Sequence, residues 1–132
     1  MFCFQCQECA QNKGCTVRGV CGKPEATANL QDLLIHTLRG IAVWSEKAAA
    51  LGVSDKADGL FVAQGLFTTI TNANWDDDRF VGLIREALGR REAVRGRVLA
   101  AYEKKNGKGF DEPLPEAATW TATEEADFHE KA

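Results

Sequence analysis

The fold class follows from residues 29–51, which read NLQDLLIHTLRGIAVWSEKAAAL. Apolar residues recur there at spacings of three and four, which places them on one face of a helix. Asn29 is a favourable N-cap, Asp32 suits the positive end of the helix dipole, and Gly52 suits the position after the last turn. The predicted inner face contains Leu30, Leu33, Leu34, Leu38, Ile41, Ala42, Trp44, Ala48 and Leu51.

Two further helices of the same kind are predicted downstream. The second begins at Ser54 or Asp55, both good N-caps, and ends in the polar run of residues 71–74. The third begins in the acidic run of residues 76–78 and ends at Gly107. The predicted inner face of the second helix contains Leu60, Phe61, Gln64, Phe67 and Ile70. That of the third contains Phe80, Leu83, Ile84, Ala87, Leu88, Val94, Val98 and Tyr102.

These elements predict an all-α fold, an antiparallel three-helix bundle preceded by a cysteine-rich cluster-binding loop, because no segment alternates as a strand would. We expect one structural domain with three parts: a cysteine-rich loop (1–28), the bundle (29–109) and a C-terminal extension (110–132). The extension is expected to lie outside the bundle core. Thr121 and Glu124 suggest a capping box for a short C-terminal helix that ends at Lys131.

Composition narrows the functional classes. The chain has 132 residues, of which 45% are hydrophobic, as expected for a single folded domain. Its formal net charge of −3 gives no reason to expect nucleic acid or a membrane as a partner. The N-terminus lacks the basic and apolar regions of a signal peptide, and no stretch is apolar enough to span a membrane. A cytoplasmic location is therefore expected.

The cysteines are unevenly distributed, because all five lie within residues 3–21. Disulfides would tie distant segments together, so this crowding favours a metal centre. The spacing CxxCxxC of Cys3, Cys6 and Cys9 is typical of the start of a ferredoxin-like cluster-binding run. A structural zinc site and buried free cysteines remain as alternatives. The cations nearby, whose charge would favour thiolates and offset a negative cluster, are Lys13, Arg18 and Lys23.

Several segments together closely resemble the N-terminal part of the hybrid cluster proteins, also called prismane proteins or hydroxylamine reductases. These segments are MFCFQCQE (1–8), GCTVRGVCGK (14–23), NLQDLL (29–34), QGLF (64–67), TITNANWD (69–76) and EPLPEAATW (112–120). The resemblance covers the whole chain.

The resemblance implies a [4Fe-4S] cluster and its ligands. The family pattern C-x2-C-x8-C-x5-C matches Cys3, Cys6, Cys15 and Cys21. The ferredoxin-like spacing includes Cys9 as a ligand, and the family pattern excludes it. The Cys9 position is usually Thr in the family. Cys9 is therefore a departure, interpreted as a bystander thiol, a replacement ligand or an extra ligand. The bystander interpretation is favoured.

The resemblance also implies a division of labour. The family's catalytic hybrid cluster, which reduces hydroxylamine or nitric oxide, is bound by His, Glu and Cys residues of downstream α/β domains that have no counterpart here. This chain is expected to deliver electrons from a redox donor protein to that cluster, in the remaining domains or in a separate catalytic chain. Alone, it is expected to lack hydroxylamine reductase activity. The alternative is a binding or sensing module with a structural metal and no redox role.

Other conspicuous residues have structural interpretations. His36 is predicted to be a packed or partly exposed core histidine rather than a metal ligand, and His129 to be solvated. The tryptophans are predicted to serve packing. The arginine-rich run of residues 85–97 is predicted to be the solvated face of the third helix, with docking of a redox partner as the alternative.

Overall fold

A computed structural model describes residues 1–71 and 75–132 of the chain. Its α-helices are α1 (Glu25–Ala50), α2 (Lys56–Ile70), α3 (Asp77–Asn106) and α4 (Glu125–Lys131). The described residues contain no β-strand, so the predicted all-α class is confirmed. Residues 72–74, within the run where the second helix was expected to end, lie outside the described part. None of the helices described is both long enough and apolar enough to cross a membrane.

Helices α1, α2 and α3 form an up-down-up bundle. The first turns of α1 and α3 meet, because the Thr27 hydroxyl donates a hydrogen bond to the Asp77 carboxylate. Their far ends meet where Arg97 of α3 donates to the carbonyl of Val53, just after α1. Arg97 also pairs with Asp58 in the first turn of α2, so α2 runs in the opposite direction to both neighbours. The predicted antiparallel bundle is confirmed.

The core is built from the inner faces of α1 and α3 together with Phe61 of α2. Its buried residues near the first turns and middle of the bundle are Leu30, Leu33, Leu34, Leu38, Ile41, Phe61, Phe80, Val81, Ile84, Ala87, Leu88 and Phe128. A second cluster at the far end contains Trp44, Ala48, Val94, Val98 and Ala118. The faces predicted for α1 and α3 are therefore largely confirmed, although Ala42 is exposed.

Helix ends follow local capping chemistry. The Asp55 carboxylate accepts a 2.9 Å hydrogen bond from the Ala57 N–H, and Asp76 accepts one of 3.2 Å from the Arg79 N–H. Each satisfies an N–H that has no partner within its own helix. Gly107 ends α3 with φ of 71°, a left-handed conformation that glycine adopts without steric cost. These three predicted boundaries are confirmed.

Helix α1 begins earlier than predicted. It starts at Glu25, and Asn29 is an interior residue rather than the N-cap. Pro24 precedes the first turn, and its carbonyl accepts a 3.0 Å hydrogen bond from the Ala28 N–H. A proline is compatible with this position because the N–H that it lacks would have no helical partner there. The division at residues 28 and 109 into three parts stays a prediction.

The C-terminal segment belongs to the core, so the prediction that it lies outside is wrong. Phe128 of α4 is fully buried in the bundle. The Trp44 indole N–H donates a 3.0 Å hydrogen bond to the Ala118 carbonyl, across 74 positions of sequence. The predicted capping box of Thr121 and Glu124 does not form, because α4 starts without a side-chain cap. Helix α4 does end at Lys131, as predicted.

Arg91 explains how this segment is held. Its side chain is 1% exposed, which corrects the prediction that the arginines of α3 all lie on a solvated face. The guanidinium donates hydrogen bonds to the carbonyl oxygens of Ala117 and Trp120 and pairs with Glu92 at 3.2 Å. A buried cation with these acceptors fixes the returning chain against α1 and α3.

Helix α2 turns a different face inward from the one predicted, and the two faces share only Phe61. Of the five residues assigned to its inner face, only Phe61 is buried. Leu60, Phe67 and Ile70 are 59%, 62% and 46% exposed, respectively. The helix is apolar on both sides, so apolar spacing does not determine which side meets the core. The residues that do face inward are Asp58, Phe61, Gly65 and Thr69.

Candidate metal centre

The cysteine-rich loop folds back on itself at two cysteines. Cys3 and Cys15 form an isolated antiparallel bridge in which each N–H donates a 2.9 Å hydrogen bond to the other's carbonyl. The N-terminal ammonium of Met1 pairs with Glu25 at 3.0 Å, which ties the start of the loop to α1. Backbone pairing therefore brings together the first and fourth cysteines of the sequence.

A left-handed turn directs backbone donors toward sulfur. Gln11 and Asn12 have φ of 53° and 56°, and Gly14 has φ of 133°. The turn places the Ala10 N–H 3.4 Å from the Cys15 Sγ, to which it donates. Donation from a backbone N–H stabilises the charged form of sulfur, as a metal-bound thiolate requires.

A second turn brings Cys21 to the cavity that Cys15 lines. The Gly19 N–H donates a 2.9 Å hydrogen bond to the Lys23 carbonyl, and the Gly22 N–H donates one of 2.9 Å to the Gly19 carbonyl. A Cβ added at Gly19 would lie 2.9 Å from the Lys23 Cβ and 3.1 Å from the Cys21 Sγ. Glycine is therefore required here by close packing, which neither the composition nor the spacing of the loop reveals.

All five cysteines line one small cavity at the end of α2. Cys3, Cys9 and Cys15 are buried, whereas Cys6 and Cys21 are partly exposed. The structure thus brings together the four ligands expected from the resemblance, but it also places Cys9 among them. No three Cys, His, Asp or Glu side chains of residues 1–71 and 75–132 converge closely enough to hold a single metal ion. Proximity therefore does not select four of the five cysteines.

The thiols differ in their electrostatic surroundings. Hydrogen bonds from the backbone N–H groups of Ala10 and Val20, with the charge of Lys23 adding to them, lower the pKa of Cys15. Burial and the neighbouring cysteines raise the pKa of Cys9. The thiolate therefore forms more readily at Cys15 than at Cys9.

Lys23 is the cation at this cavity. Its side chain is 2% exposed, and its Nζ donates to the Cys3 Sγ at 3.3 Å and to the Thr69 carbonyl at 3.4 Å. Lys13 and Arg18, which sequence reasoning treated as equivalent to it, are exposed. Thr69 was not foreseen as part of the site, because no local signal relates it to a loop 46 residues away.

The histidines and tryptophans keep their structural roles. His36 is partly buried and meets Trp120 in a T-shaped arrangement, with the ring centroids 6.5 Å apart. Burial lowers the pKa of His36, so the neutral ring is favoured. His129 is exposed and lies 3.5 Å from Glu125. The predicted packing of His36 and solvation of His129 are confirmed, and Trp44 is fully buried in the core.

The donor set fits the group that the family resemblance implies. An iron–sulfur cluster requires thiolates, and its sulfurs are stabilised by nearby N–H donors and positive charge. The cavity supplies these as cysteines, the Ala10 N–H and the buried ammonium of Lys23. The sulfurs, the N–H donor and the ammonium lie around the same cavity.

Comparisons with known proteins show the family of the chain. Residues 1–130 match the model of the Prismane/CO dehydrogenase family. The chain is 64% identical over its full length to the hydroxylamine reductase of Nitratidesulfovibrio vulgaris, of which it covers 24%. It is 55% identical to that of Halothermothrix orenii and 51% identical to that of Petrotoga mobilis, over 99% and 91% of this chain and 24% and 22% of the respective relatives. The chain thus spans about a quarter of the length of these curated relatives, and it belongs to the Prismane/CO dehydrogenase family.

Proposed function

We propose that this chain is an iron–sulfur electron-transfer module. The observation that carries the proposal is the buried ammonium of Lys23, which donates to the Cys3 Sγ inside a cavity lined by cysteines. Burying a cation without a counter-charge costs several kcal/mol. Thiolates around a cluster supply negative charge at this position, so the lysine and the cluster stabilise each other.

The proposed cluster is [4Fe-4S], bound by Cys3, Cys6, Cys15 and Cys21. Support comes from the family spacing and from the backbone pairing that holds Cys15 beside Cys3. The family spacing leaves Cys9 outside the ligand set, so Cys9 is proposed to be a bystander thiol. When bound, the cluster supplies one-electron redox chemistry. The surrounding residues hold its sulfurs, exclude water and offset its charge.

The electrons are proposed to come from a redox donor protein and to pass to a hybrid cluster that reduces hydroxylamine or nitric oxide. The relatives bear the name hydroxylamine reductase, and this chain corresponds to about a quarter of their length. All of its cysteines lie in the first 21 residues. The proposed module therefore serves a reaction that takes place in another part of the protein or in another chain.

Purification without oxygen is expected to give about four iron atoms and matching sulfide per chain, with an EPR signal after reduction by dithionite. Hydroxylamine turnover by this chain alone is expected to be absent, because the ligands of a second cluster are missing from it. Zinc without iron would contradict the proposal and favour the alternative of a structural-metal module. Turnover by the isolated, cluster-loaded chain would contradict the proposed division of labour.

A partner surface is proposed on the outer side of α2. Residues 59–70 contain no charged side chain, although half of this stretch is exposed. The exposed large hydrophobic residues of the described chain all lie on the cysteine-rich loop, on α2 or at its end: Phe2, Phe4, Val17, Val20, Leu60, Leu66, Phe67 and Ile70. Exposed apolar surface of this kind marks an interaction site.

The proposed occupant is the remainder of the longer family protein. The relatives are about four times as long as this chain, so they contain additional residues that could cover this surface. The surface also adjoins the cysteine cavity at Thr69, which would place the proposed cluster beside the covering domain. The charged outer side of α3, with its alternating Arg and Glu, offers no comparable apolar area.

Phe67→Asp is expected to loosen this contact. The test uses a chimera in which this chain replaces the matching segment of the Nitratidesulfovibrio vulgaris relative. Amide exchange within residues 60–70 is expected to rise about tenfold or more, because a carboxylate replaces an aromatic side chain that the covering domain is proposed to bury. Ala93→Asp on the exposed side of α3 is the matched control. Equal exchange in both variants would show that the outer side of α2 is not covered.

A further inference from the structure

Lys23 has an unusual set of partners for a buried lysine. Besides the Cys3 Sγ and the Thr69 carbonyl, its Nζ lies 5.5 Å from the ring centroid of Trp75. It forms no ion pair with a carboxylate among residues 1–71 and 75–132. The positive charge therefore lies at sulfur, at the C-terminal end of α2 and at the face of an aromatic ring, and Asp32 is a carboxylate that it attracts without forming an ion pair.

The position of this charge is fixed by the bundle. Thr69 is the penultimate residue of α2, and its carbonyl is among the last four, which have no partner within the helix. A cation is favoured at this end by the helix dipole. Gly19 leaves room for the lysine stem, because a Cβ there would lie 2.9 Å from the Lys23 Cβ. The ammonium is thus held by α2 as well as by the loop.

We propose that Lys23 is a positioning residue that raises the reduction potential of the cluster bound at Cys3, an inference that rests on the proposed function. One electron from the donor adds one negative charge to the bound cluster. A fixed positive charge at a ligand sulfur stabilises that reduced form more than the oxidised form. Because water is excluded from Nζ, this interaction is screened far less than one with an exposed cation.

The loop contains its own comparison. Lys13 and Arg18 also lie among the cysteines in sequence, but both are exposed to solvent. Their charges are screened by water and salt, so they are expected to have little influence on the cluster. If only the number of charges mattered, the three cations would influence the reduction potential equally. Because Lys23 alone of the three is buried, the effect on the potential is expected to come from Lys23.

The test is an EPR-monitored redox titration of the cluster-loaded chain with dithionite and mediators. Lys23→Met is expected to shift the equilibrium for one-electron reduction about tenfold toward the oxidised form, which lowers the midpoint potential by about 59 mV. Lys23→Arg keeps the charge, so its midpoint potential is expected to stay close to that of the unmodified chain. Lys13→Met is the matched control and is expected to match the unmodified chain.

Equal potentials for Lys23→Met and the unmodified chain would overturn the proposal. Lys23→Gln, which keeps a hydrogen-bond donor without the charge, is titrated in parallel. If Lys23→Met does not retain iron, the potential of Lys23→Gln is compared with that of the unmodified chain instead. Loss of iron from both variants would show a purely structural role and would also overturn it. Failure of the proposed function itself is recognisable, because the unmodified chain and every variant would then lack iron.

Discussion

Cys21→Ala is expected to lose most of its iron, whereas Cys9→Ala is expected to keep about four iron atoms and its EPR signal. Burial alone predicts the opposite order, because Cys9 is 7% exposed and Cys21 is only partly buried. Truncation of a buried thiol leaves a small cavity with a modest cost. Loss of a ligand removes metal-binding free energy, which also stabilises the folded loop.

The measurement is iron and sulfide content after anaerobic purification, with circular dichroism as a check that the helices remain folded. Cys15→Ala, which removes a buried proposed ligand, is a third variant and is expected to behave like Cys21→Ala. Iron loss in Cys9→Ala with retention in Cys21→Ala would make Cys9 a ligand and reject the family set for this chain. Loss in both would indicate that Cys9 and Cys21 are both needed, which would also reject the family set for this chain.

Gly40→Ala is expected to destabilise the fold by about 2–4 kcal/mol, through overpacking and loss of hydrogen bonds to a buried cation. An ideal Cβ at Gly40 of α1 would overlap the Ala117 carbonyl oxygen and lie 2.9 Å from the Arg91 Cδ. That oxygen accepts a hydrogen bond from the Arg91 guanidinium. The C-terminal segment would therefore have to move away from α1, and the buried cation would lose an acceptor.

Gly96→Ala in α3 is the matched control, because a Cβ there meets no atom within 4 Å. It is expected to stabilise the chain by about 0.5–1 kcal/mol, since alanine is the better helix former. Urea denaturation followed by helical circular dichroism, at equal iron content, measures both effects. Equal stability of the two variants would contradict the close approach of Ala117 to α1.

Local chemistry explains the features that sequence predicted well. The caps at Asp55 and Asp76 depend on hydrogen bonds to N–H groups two or three residues away, so the nearby sequence is enough to identify them. The gathering of the cysteines was likewise foreseen from their close spacing, although the backbone bridge between Cys3 and Cys15 was not. That four of the five bind an iron–sulfur cluster, and which four they are, stays a prediction.

The features that sequence missed depend on distant partners. The burial of Arg91 depends on carbonyl groups at Ala117 and Trp120, which lie 26 and 29 positions away. In α2, both sides are apolar, so the pattern did not indicate that Phe67 faces outward. The apolar residues of a helix show how much hydrophobic surface it has. Which side of that surface is buried depends on the elements that pack against the helix.

By itself, the sequence determined the all-α class, most helix ends and the presence of a cysteine-rich site, because these depend on residues close together in the chain. Tertiary structure decided that the C-terminal segment joins the core and that α2 presents an apolar side outward. It also distinguished Lys23 from the exposed cations Lys13 and Arg18. The physical reason is that the burial of a charge, and the field it exerts on sulfur, depend on groups such as the Thr69 carbonyl, brought near only by folding.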